Sequence, residues 1–202
     1  MAISFPLTLP NINIKRLTLR ANTIVGQTRA AFTHQTQVYE WPGQSWIAEV
    51  TLPIMARADA ELWNCFLLKL NGPAGTFLLG DPSAKTPRGI ASGSPKVNGA
   101  GQQGKILLTK GWTPSLTNIL RAGDYIQIAN NLYKNLNDVN SDGSGNTTLD
   151  IFPRLRTDYA NDTVIITTNT VGRFRLLFPD FQIYTVDEAK NYEIAFTAVE
   201  DF

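Results

Sequence analysis

The stretch Ser45-Trp46-Ile47-Ala48-Glu49-Val50-Thr51-Leu52 decides the fold class. Apolar residues at 46, 48, 50 and 52 alternate with Ile47, Glu49 and Thr51, the two-residue period of a strand with one buried face. Upstream, residues 36–41 are also β-rich, and Pro42-Gly43 punctuates the two runs, so residues 36–52 read as a β-hairpin. Downstream the period changes. Over residues 58–71, Leu62, Trp63, Phe66, Leu67 and Leu70 recur at helical spacing. Asp59 and Glu61 lie early and Lys69 late, as the helix dipole favours, and Gly72-Pro73 supplies a stop. One amphipathic helix is expected, packed on a sheet through Trp63 and Phe66, with Cys65 beside that face as a packing residue.

Strand character returns at residues 75–79, and residues 80–104, rich in Gly, Pro, Ser and Lys, read as a loop followed by a turn. Short β runs then occupy 105–109, 125–129, 132–136 and 147–152, with a hairpin turn at Asn130 and a longer turn over 140–146. Short strands separated by turn chemistry predict a small β-barrel or sandwich. After Arg156 the first texture resumes. Residues 163–167 are β-branched, 173–178 put Phe174, Leu176 and Phe178 on one face, and Tyr192, Ile194, Phe196 and Ala198 alternate with Glu193, Ala195, Thr197 and Val199. A last strand reaching almost to Phe202 calls for a partner strand. The chain therefore reads as mainly β: a discontinuous domain of residues 1–82 and 157–202, and an inserted small all-β domain of residues 83–156.

Composition narrows the function. At 202 residues the chain is long enough to bury a core without disulfide or metal. Charged residues make up only 17%, which fits a surface largely covered by partner protein. A net charge of +1, with no basic run longer than Lys15-Arg16, argues against nucleic-acid binding. Residues 1–10 lack the charged and apolar regions of a signal peptide, and no apolar run is long enough to span a bilayer. The single cysteine, Cys65, excludes an internal disulfide framework and fits assembly in a reducing cytosol.

Apparent chemical motifs dissolve on inspection. Gly99-Ala100-Gly101-Gln102-Gln103-Gly104 has dinucleotide-fingerprint spacing, but a strand-like run follows where a helix N-terminus would have to meet the pyrophosphate. Asp138 to Gly143 matches the start of a calcium loop, yet Leu149 stands where a bidentate glutamate is needed, and Asp150 lies one place beyond. A turn rich in Asp, Asn and Gly predicts the same letters. His34 is the only histidine and reads as a solvated strand residue. Ser92 and Ser94 flank Gly93 without forming a nucleophile elbow. No catalytic, cofactor-binding or metal residue is expected. Of the tryptophans, Trp46 and Trp63 read as core, Trp41 flanks the turn, and Trp112 is the best candidate for an exposed, sugar-stacking aromatic.

A family resemblance runs through most of the chain. It is carried by residues 46–53 (WIAEVTLP), 57–63 (RADAELW) and 70–82 (LNGPAGTFLLGDP). Gly111-Trp112, residues 123–128 (GDYIQI), Leu132-Tyr133, residues 153–156 (PRLR) and the closing residues 192–196 (YEIAF) add to it. These runs resemble tail proteins of siphophages, and most of all their distal tail proteins. The resemblance implies a tail-tube-like β-sandwich or barrel with one flanking helix. Such subunits form homohexameric rings that join the tail tube protein to the baseplate hub and tip proteins. Phage DNA passes through the lumen without specific binding. It implies a virion component of the tail tip, assembled in the host cytoplasm, with no membrane anchor and no enzymatic activity. The rival expectations are another tail component, either tube subunit or terminator, and a saccharide-binding module of the tip.

Overall fold

The computed structural model describes residues 3–11, 13–179, 184–188 and 190–202. Strands β1 (Arg16–Arg29) and β2 (Thr36–Thr51) form an antiparallel hairpin with strands well over twice the usual length. The alternation at 46–52 is realised at the inner end of β2, where Trp46, Ala48, Val50 and Leu52 are buried. Pro42-Gly43 does not turn the chain, as the sequence suggested. Both halves pair with β1, and the register shifts between Thr23, opposite Gln44, and Val25, opposite Glu40. Proline lacks an N–H for the ladder, so the strand absorbs it as a bulge rather than breaking.

Helix α1 (Arg57–Leu70) ends as its sequence dictates, at Asn71 with φ 51° followed by Gly72 with φ 64°. Trp63 and Phe66 pack on the sheet as expected: their rings lie 6.0 Å from Phe196 and 5.7 Å from Phe77, respectively. Leu62 and Leu68 face outward. Cys65 is exposed between them, so it is not the packing residue expected from its neighbours.

Beyond β3 (Thr76–Leu79) the chain enters a second sheet. Its strands are β4 (Gly93–Val97), β5 (Ile106–Trp112), β6 (Tyr125–Ile128), β7 (Asn131–Asn135), β8 (Thr147–Phe152) and β9 (Ile165–Ile166). Their order is β4-β5-β8-β7-β6-β9, and a bridge from Lys96 to Val164 brings the two ends together, so the sheet is a nearly closed barrel. Two readings change here. Residues 93–97, taken as loop, form β4, and residues 163–167, grouped with the C-terminal part, supply β9 to the barrel. The turn at Asn130 is as expected: Ile128 stands opposite Asn131.

The chain then returns through β10 (Gly172–Leu176), a small hairpin of β11 (Thr185–Val186) and β12 (Tyr192–Glu193), and β13 (Ala195–Glu200). The first sheet has the order β1-β2-β13-β10-β3, so the last strand is central and paired on both sides. Phe174 and Leu176 are buried as read, while Phe178 lies beyond β10 and is exposed. The whole is mainly β, with one α-helix among the described residues and sheets forming a sandwich and a barrel.

Barrel and first sheet share a seam. Tyr125 and Leu132 of the barrel belong to the main core, and Trp46 meets Phe152 edge-on at 4.9 Å. Gly172 lets the surfaces close, because a Cβ there would sit 2.9 Å from Leu132 Cβ and 3.2 Å from the Phe174 ring. Gly172→Ala is therefore expected to cost about 1–3 kcal/mol through overpacking. A urea midpoint left unchanged would mean the seam is loose.

Candidate assembly interface

The outer part of the hairpin, residues 22–44, projects past the last β13 pairing at Ile47 as a two-stranded arm. Its tip is closed by hydrogen bonds from Ala30 N–H to Gln35 O (2.9 Å) and from His34 N–H to Ala30 O (3.0 Å). His34 has φ 57°, so it belongs to the turn and not to a strand. Within the bulge Gly43 makes room for Ile24, whose Cδ1 lies 2.7 Å from where a Cβ would stand.

The arm's side chains are unusual for a surface ribbon. Ile24, Val25, Val38, Tyr39 and Trp41 are all exposed, Trp41 at 60%, and Phe32 at the tip is 100% exposed. Val25 and Val38 stand one residue away along the strand from Ile24 and Tyr39, so apolar groups occupy both faces. An isolated two-stranded hairpin is marginal in water, and contiguous apolar exposure marks an interaction surface. The outer edge of β1 has no strand partner among the described residues, leaving ladder groups available for pairing.

At its root the arm is held by a buried polar cluster. Arg156 and Glu200 form an ion pair with both side chains buried. Trp46 N–H donates to Glu200 Oε2 at 3.0 Å, and the Arg156 guanidinium donates to the carbonyl of Gln44. The Arg154 N–H donates to Gln44 Oε1 at 2.9 Å, and Trp46 Nε1–H to the Leu132 carbonyl at 3.1 Å. Burial pushes the Glu200 carboxyl up, against the opposing pull of Arg156 and the Trp46 amide. Burial likewise raises the Tyr133 hydroxyl, which accepts from Arg156 N–H (3.1 Å) and bonds Tyr159 (2.7 Å).

Further out, Lys105 of the barrel pairs with Glu40 of the arm and holds its carboxyl below the usual range. Asp142 is also held low, by the backbone amides of Asn146 and Ser144 and the Asn146 side chain. Both carboxylates are exposed and their depressed values set one sign: their contribution to folding is present above the ordinary carboxylate range and fades as pH falls through the folded-state values. Carboxyl titration by NMR should place both below a free carboxyl group. An ordinary midpoint for Asp142 would contradict the turn geometry.

The other residues singled out in the sequence lie elsewhere. Gly99 and Gly101 adopt φ 95° and 77° in a turn, donating to Asn161 Oδ1 and Asp158 Oδ1, and β5 follows, not a helix. In the calcium-like stretch Asp138 accepts from Ala122 N–H, Asp142 accepts from Ser144 and Asn146, Leu149 is buried, and Asp150 accepts from Asn137. Among the described residues, no group of three or more His, Cys, Asp or Glu could hold a metal ion. Ser92 bonds Thr113 between their hydroxyls. Trp46 and Trp63 are core. Trp112 is only 3% exposed and donates to Thr109 Oγ1, so it offers no platform to a sugar; its place on the inward face of β5 decides this.

Sequence reasoning missed the arm and the Arg156–Glu200 pair. A signal for the latter was present: Glu200 continues the even-numbered series 194, 196, 198 that faces the core. No protein-family model matches this chain, and no curated protein sequence matches it.

Proposed function

We propose that this chain is a structural subunit of the tail of a long-tailed bacteriophage, forming a ring at the distal end that joins the tail tube to the baseplate hub. The observation that carries the reading is the arm: a two-stranded ribbon that exposes six large apolar side chains beside an open sheet edge, the kind of surface another protein covers. The sequence resemblance to siphophage distal tail proteins supplies the biological setting. A second copy of the chain is the occupant, because a head-to-tail contact repeated by rotation closes a ring and caps each open edge with the next subunit. In the assembled tail the ring meets the tube protein on one side and hub and tip proteins on the other, while DNA passes through the lumen. Its work is mechanical continuity, without chemistry.

A tube subunit would use the same kind of contact but would also stack. Electron microscopy of the purified protein separates the two readings. Single-layer rings are expected, and long tubes would sink the distal assignment. The saccharide reading loses Trp112 as its aromatic platform.

A further inference from the structure

The arm's root lies where one hydrogen-bond ladder stops. Even-numbered residues of β2 address β13: Leu52 N–H donates to the Ile194 carbonyl at 3.0 Å, and Val50 and Ala48 stand opposite Phe196 and Ala198. By that parity the next bond would run from Trp46 N–H to the main-chain carbonyl of Glu200. It runs to the Glu200 side chain instead, while Asp201 N–H keeps β13 on β10 by donating to the Arg173 carbonyl at 2.8 Å. One step farther out, the Gln44 carbonyl faces the same way and takes the guanidinium of Arg156. Arg156 comes from the barrel, just after β8, and its own N–H is fixed on Tyr133.

We propose that the Arg156–Glu200 pair is a splice: its two side chains complete the β2 ladder where β13 leaves it, and so fix the direction in which the arm departs relative to the barrel. Two backbone groups that would otherwise be buried and unpaired are satisfied by one donor and one acceptor already bound to each other. The barrel and the arm then move as one piece. Both are positioning residues, and the inference concerns a single chain, so it stands or falls apart from the assembly reading.

The test separates splicing from mere filling of the core. In the double variant Arg156→Met/Glu200→Met, two apolar side chains of similar length replace the charges. Thermal stability should recover only part of what Arg156→Met alone loses, because Trp46 N–H and the Gln44 carbonyl stay unpaired. Hydrogen exchange over residues 40–47 should then rise at least tenfold, with α1 and β6–β8 protected as before. In a Cys65→Ser background, nitroxides at Phe32 and Ile90 should give one narrow distance distribution in the parent and a broad one in the double variant. The milder Arg156→Lys, which keeps a donor and the ion pair, should retain the narrow distribution. Unchanged exchange at 40–47 together with an unchanged distribution would overturn the proposal, as would loss of protection spread evenly over α1 and the barrel.

Discussion

Arg156→Met alone should destabilise the protein by about 3–5 kcal/mol, because it leaves the Glu200 carboxylate buried without its counter-charge. Both side chains are buried at the seam between sheet and barrel, so bulk solvent does not screen the charge left behind. For a chain of this size the loss lowers the thermal midpoint by roughly 10 °C. Adding Glu200→Met should recover part of it, since it removes the unpaired charge but leaves Trp46 N–H and the Gln44 carbonyl without partners. Denaturant melts of the parent and the two variants give the comparison. If the single variant loses less than about 1 kcal/mol, the pair is solvated in solution and the seam is looser than described.

The second large effect is on association. Tyr39→Ser combined with Trp41→Ser should abolish assembly while the body stays folded, because both side chains stand clear of either core. Aromatic anchors at the centre of an interface commonly contribute about 2 kcal/mol or more each. Losing two weakens each subunit contact by roughly a thousandfold. In the proposed ring, closure would multiply the deficit around the circle. Sedimentation velocity should show the variant as a monomer at concentrations where the parent is assembled, with the far-ultraviolet circular dichroism of a folded β protein. An assembled variant would move the interface away from the arm.

What the sequence could reveal followed burial. The inner half of β2 and helix α1 each have a buried face legible as a period of two or of 3.6, and strands β5 to β8 were legible as short β runs between turn residues. Strand β1 was not legible, because its outer residues are exposed on both faces and carry no alternation. The same fact makes it the candidate interface: where the pattern fails, the chain's own core is not what covers the side chains. Pro42 misled for a local reason, since a bulge and a turn favour the same residues. The sheet to which 163–167 belong was beyond any local pattern; it is fixed by pairing with β6 and the bridge to Lys96. Arg156 and Glu200 meet only because the seam brings together residues 44 apart in sequence.

In the proposed ring the chain is completed by copies of itself. The most direct test is the mass in solution, measured by native mass spectrometry and light scattering across a wide range of concentration. A closed ring predicts one discrete multiple of 22.3 kDa, six for the hexamer, with nothing larger as concentration rises. A species that remains at 22.3 kDa at the highest concentration, with the arm intact, would contradict the account.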